Sequence, residues 1–161
     1  MSLNKFKYFF LKRKLKRYIN KTNAPRNFRA KITNPHTIED KLDILKNKSN
    51  PFSITLLKMI DEKNMTDVDC YKRANIDRKL FSKIRSIQDY KPSKNTVLAF
   101  VLALKLNIQE ANNLLESAGY SLSHSFITDI IIEYFIEKKK YDINLVNLAL
   151  YDYNQPPLGS F

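Results

Sequence analysis

The run TDVDCYKRANIDRKLFSKIR, residues 66–85, holds two short helical patterns separated by a break. Val68, Tyr71 and Ala74 recur at helical spacing behind Thr66, a residue suited to cap them. Leu80, Phe81 and Ile84 repeat that spacing after Asn75, Ile76 and Asp77. The second pattern also carries Arg78, Lys79, Lys83 and Arg85, so it predicts a helix that is apolar on one side and cationic on the other.

Two short helices with a tight turn, the second one basic, have the layout of a helix-turn-helix, whose second helix enters the DNA major groove. Read with its surroundings, LLKMIDEKNMTDVDCYKRANIDRKLFSKIRSIQDYKPSKNTVLAFVLALKLNIQEANNLL resembles the five-helix domain of Cro/C1 repressors. The opening helix of that family matches residues 52–62, its turn pair 66–74 and 77–87, its Pro-containing connection 90–93, and its closing helices 95–106 and 108–118.

The resemblance implies that Arg78, Lys79, Ser82 and Lys83 meet base edges, where an arginine can take guanine in bidentate fashion. It implies that Arg85, Lys91 and Lys94 hold phosphates on either side. Two positions depart from the family. Asp67 stands where a phosphate-holding Gln is usual, and a carboxylate there repels a phosphate. Tyr71 stands where a small residue lets the two turn helices approach, so a wider crossing is expected. Residues 52–159 also resemble, more closely, a helical module often attached to other domains in Gram-positive bacterial and mobile-element proteins, including macro-domain proteins; that likeness implies a fold and no particular chemistry.

The bulk of the sequence agrees with an all-α chain. With 161 residues, 43% of them hydrophobic, it can bury one sizeable core, and only 2 glycines and no tryptophan favour helices over a sheet built on turns. The expected architecture is the five-helix bundle, extended by two C-terminal helices and preceded by a basic amphipathic N-terminal arm. The expected division is 1–50 for arm and linker and 51–161 for the helical domain.

The net charge of +12 is unevenly placed. Residues 1–50 hold 14 Lys/Arg against 3 Asp/Glu, whereas residues 51–161 hold 14 against 13. A basic arm on a nearly neutral domain points to a polyanionic partner. In LNKFKYFFLKRKLKRYINK, residues 3–21, Leu11, Leu15, Tyr18 and Ile19 share one helical face while Lys12, Arg13, Lys14, Lys16 and Arg17 cover the rest. Three uses compete for it: phosphate-backbone binding, docking on the chain's own core or another protein, and adsorption to an anionic membrane surface. The interleaved Phe6, Tyr8, Phe9 and Phe10 argue against a solvated tail.

Residues 22–50, with Pro25 and Pro35, read as a linker followed by a short helix capped near Thr37. In the first domain helix Ile54, Leu57, Met59 and Ile60 are the expected inward side, with Ser53 as cap. Gly119 is expected to close the fifth helix in the left-handed region. Ser123 or Ser125 is expected to start a sixth helix with Phe126, Ile127, Ile130, Ile131, Tyr134 and Phe135 as its apolar face, and Asp142 to cap a seventh. These two either extend the core or make a homodimer interface. The paired Pro156 and Pro157 predict a surface tail.

No constellation points to catalysis, and no cofactor is expected. His36 and His124 are isolated, no glycine-rich phosphate loop exists, and Cys70 reads as a buried structural thiol. Asp67 and Asp69 are explained by the helix dipole rather than by a metal. Uninterrupted apolar runs fall far below the roughly 18 residues of a membrane span, and a single cysteine fits a reducing cytoplasm. The leading expectation is a cytoplasmic, non-enzymatic regulator acting on duplex DNA, from a bacterial or mobile-element genome. The alternative is an interaction module that inhibits or recruits a nucleic-acid enzyme in a defence or anti-defence setting.

Overall fold

The computed structural model describes residues 3–22, 51–87 and 89–159. The linker and short helix expected over 22–50, with His36, lie outside the described residues, save Thr22 at the end of the first helix. Among the described residues the chain is all-helical, with eight helices and no strand. None of them is long and apolar enough to cross a membrane.

The helices are α1 (Leu3–Thr22), α2 (Phe52–Glu62), α3 (Asp67–Arg73), α4 (Arg78–Ser86), α5 (Lys94–Ala103), α6 (Ile108–Ser117), α7 (Ile127–Glu137) and α8 (Ile143–Asp152). Side-chain caps set most of the starts. Thr66 accepts from the Asp69 amide, Ser93 from Thr96, and Asp142 from Asn144 and Leu145. Asn107 and Glu110 exchange both bonds of a capping box. Two expected caps are corrected. Ser53 is buried inside α2 and donates to the Ile87 carbonyl at 3.2 Å, leaving Pro51 at the cap position. The sixth domain helix starts not from Ser123 or Ser125 but at Ile127 behind Phe126, which makes no side-chain cap and is 62% exposed.

The helix ends share one device. Asn64, Asn75, Lys105, Gly119, Lys139 and Asn154 each follow a C-cap with φ between 51° and 81°. In each case the next amide reaches back to the carbonyl five residues earlier, as Ile76 does to Tyr71 at 2.9 Å and Lys140 to Phe135 at 2.9 Å. Only α4 among the domain helices ends otherwise, in extended backbone at Ile87.

At the centre lies α5, in which every residue from 97 to 103 is buried. A helix apolar all round must be surrounded, and α3, α6 and α8 pack against it. Phe100 meets Phe52 of α2 at 6.3 Å and Phe81 of α4 at 6.1 Å between ring centroids, and Phe81 meets Tyr71 of α3 at 5.5 Å. This chain of rings seats the α3 and α4 pair on the core. The inward side of α2 is Phe52, Leu56 and Ile60, a stripe at every fourth residue; the expected Ile54 is 43% exposed and Leu57 and Met59 are half-buried.

Packed against the other helices is α1, with Leu11, Leu15 and Ile19 buried in the common core and α7 as its main neighbour. Tyr18 packs edge-on against Tyr134 at 5.2 Å and donates to Glu137 at 3.0 Å. The Tyr8 hydroxyl donates to Asp152 at 2.5 Å, and Lys12 pairs with the same carboxylate at 3.0 Å. Partial burial opposes the Asp152 charge, but these two donors outweigh it and hold the carboxyl below its ordinary range.

The expected surface tail is corrected as well. Leu158 is fully buried, and its amide and carbonyl are both held by the Asn147 side chain, at 2.8 and 3.1 Å. Gly159, at φ +95°, lies directly against the turn at Ala74 and Asn75.

Candidate nucleic-acid interface

The basic side of α4 is set by where its apolar side goes. Phe81 and Ile84 are buried and Leu80 is half-buried, which turns Arg78, Lys79, Ser82 and Lys83 to solvent. Asp77 fixes the helix start by accepting from the Lys79 amide. Among the described residues no carboxylate pairs with Arg78, Lys79 or Lys83. Arg78, Ser82 and Arg85 follow one another along the helix and share with Asp67, Val68 and Tyr71 a groove of about 460 Å³ between α3 and α4. Tyr71 thus fills the space between the turn helices with its ring on Phe81, and is half-buried.

Not every predicted contact joins this face. Arg85 is ion-paired with Asp67, so the carboxylate expected to repel a phosphate carries its own counter-charge. Lys91 is exposed on the connection after α4, where buried Pro92 accepts from the Tyr120 hydroxyl at 2.9 Å. Lys94 has a partner within the chain. Its ammonium lies 2.6 Å from Asp129, a carboxylate only 2% exposed that also accepts from the Ser123 amide, so this cation neutralises a buried charge.

The cations of α1 form a second surface. Arg13, Lys14, Lys16 and Arg17 are exposed, Arg13 lies 5.9 Å from the Phe9 ring, and Lys12 is taken by Asp152. The main neighbour of α1 is α7, whereas α4 packs on α2 and α3. Arm and turn helix therefore share no principal packing neighbour, a separation that charge counting along the sequence does not reveal. Sequence reading also passed over Lys7 and the run Lys138, Lys139, Lys140, although that run is visible just after the α7 pattern.

The other chemistry-bearing residues have structural partners. Cys70 is buried, and burial, against a smaller opposing effect of Arg73, pushes its thiol up to about 12. His124 contacts Glu133 at 2.6 Å, and Asp69 accepts from the Thr66 hydroxyl at 2.9 Å. Among the described residues no three His, Cys, Asp or Glu side chains gather as metal ligands would. No protein-family model, no curated protein and no solved structure matches this chain.

Proposed function

We propose that this chain is a non-enzymatic DNA-binding regulator in which α4 enters the major groove and contacts base edges through Arg78, Lys79, Ser82 and Lys83. One observation carries the reading: α4 keeps in solvent three cations that no carboxylate among the described residues pairs, while its other side is anchored on Phe81 and Ile84. A helix held this way presents its side chains without reorganising on binding. The Asp67 to Arg85 pair supports it by removing the main repulsive charge from the groove edge.

The test is a gel-shift titration of the full chain against duplex DNA at several salt concentrations. Binding should weaken steeply with salt, with a slope of about −0.9 per phosphate neutralised. Replacing Arg78 and Lys79 together by Ala should cost about 1–3 kcal/mol on a preferred sequence. Absence of binding at low salt, or affinity unchanged in that double variant, would falsify the reading.

A second reading, a protein-interaction module, is favoured by Leu148 and Tyr151 on α8, which are 45% and 77% exposed. It predicts a stoichiometric protein partner that survives nuclease treatment and is lost when Tyr151 is replaced by Ser.

A further inference from the structure

We infer that the cleft between α1 and the α7 to α8 turn is a binding site for a row of consecutive phosphates, separate from the α4 surface. The cleft measures about 630 Å³, within the size range of small-ligand sites, and Lys7, Lys14, Lys138 and Lys140 line it with no acidic side chain among them. Phe10, Leu11 and Tyr134 make its apolar wall. A second cleft of about 390 Å³ adjoins it through the shared Lys7, Leu11 and Lys140.

Lysines after α7 are accounted for in part by the dipole at its C-terminus. That does not account for Lys7 and Lys14, which arrive from a helix more than a hundred residues earlier in sequence and face the same space. All four lysines are exposed, and an anion entering the cleft meets positive charge from both α1 and the α7 to α8 turn.

Around this cleft the carboxylates are occupied otherwise. Glu133 faces His124 and Tyr18, Glu137 faces Tyr18, and Asp142 accepts the first amides of α8. Among the described residues Lys7, Lys14, Lys138 and Lys140 have no carboxylate partner, and Lys138 lies over the Tyr134 ring at 5.9 Å. Lysine ammoniums are compact point charges, suited to phosphate oxygens at several angles rather than to one planar group. The chemistry selected is therefore a chain of phosphates, whether the polyphosphate of a nucleotide or the backbone of a nucleic acid.

The experiment is calorimetric titration of the full chain with inorganic tripolyphosphate at low salt, with the lysine side-chain NMR signals followed in parallel. Saturable 1:1 binding is expected, shifting the signals of Lys7, Lys14, Lys138 and Lys140. Lys7→Gln with Lys140→Gln should weaken it by about tenfold or more, while the Arg78 and Lys79 double Ala variant keeps it. That variant makes the outcome independent of the DNA reading. In the same background, competition of the tripolyphosphate by a short duplex identifies a nucleic-acid backbone as the source, and competition by a nucleoside triphosphate alone identifies a free polyphosphate. No saturable binding, or binding that leaves those four lysine signals unmoved, overturns the inference even if the double Gln variant folds poorly.

Discussion

Arg85 and Asp67 tie the last turn of α4 to the first turn of α3. With the guanidinium side 61% and the carboxylate side 29% exposed, such a pair contributes only about 0–1 kcal/mol to stability. Its larger consequence is for charge at the groove edge, where it removes one cation and one anion together. Asp67→Asn should therefore leave the melting temperature within a few degrees while raising duplex affinity at low salt by about two- to fivefold, with one more phosphate in the salt slope. Fluorescence anisotropy checks this. Weaker binding in that variant would mean that Arg85 needs Asp67 to hold it in place, and the charge argument would fail. The residue types of the groove were legible in the sequence, because a cationic side opposite Phe81 and Ile84 follows from spacing alone. The Asp67 partner was not, since a pairing between positions 67 and 85 depends on how the two helices cross. The partner of Lys94 was hidden for the same reason: Asp129 comes from α7, far along the chain.

Helix starts were legible where the capping side chain acts locally, as at Thr66 and Asp142, and misread at Ser53 and at Ser123 or Ser125. Thr66 and Asp142 cap as their chemistry predicts, because a side chain that accepts an amide hydrogen bond acts within three residues. Gly119 was readable as an end, but the same left-handed closure is made elsewhere by Asn and Lys, which announce it weakly or not at all. The face of α2 was misassigned because Ile54, Leu57, Met59 and Ile60 fit a helical stripe about as well as Phe52, Leu56 and Ile60, and only the position of α4 and α6 separates them. Lysine at positive φ is strained, and Lys105, exposed at the end of α5, is a clean place to measure that strain. Lys105→Gly should relieve it at some entropic cost in the unfolded chain, for a net gain of about 0.5–1 kcal/mol. Urea denaturation with an unchanged slope is the check. A loss of stability there would mean that the Lys105 side chain contributes contacts outweighing the backbone relief.

At the scale of the whole molecule, α1 and the segment that carries Leu158 are built into the body rather than appended to it. Sequence made the amphipathic character of α1 plain, and left open whether its apolar stripe meets a partner or the chain's own core; the stripe of Leu11, Leu15 and Ile19 lies buried in the core. The tail was not legible because one apolar residue, Leu158, carries no periodicity and the preceding prolines exclude only a helix. Its position gives the last prediction. A Cβ at Gly159 would lie 2.8 Å from both the Asn75 Cβ and the Asn75 carbonyl oxygen, and the backbone there already holds φ +95°. A Cβ at Gly119, φ +81°, meets nothing within 4 Å. Both Gly→Ala variants incur the cost of a left-handed backbone, roughly 1–2 kcal/mol, but only Gly159→Ala adds a clash with main chain that cannot rotate away. Gly159→Ala should therefore be the more destabilising by about 1 kcal/mol or more, or else release the tail from Asn147 and the turn. Hydrogen exchange distinguishes these, because release would expose the Leu158 amide and the Ile76 amide beside the turn, whereas uniform destabilisation would speed exchange throughout. Since Asn75 leads directly into the cap of α4, tail release should also lower duplex affinity while Gly119→Ala leaves it unchanged. Equal effects of the two substitutions on stability and binding would show that the tail does not brace the turn.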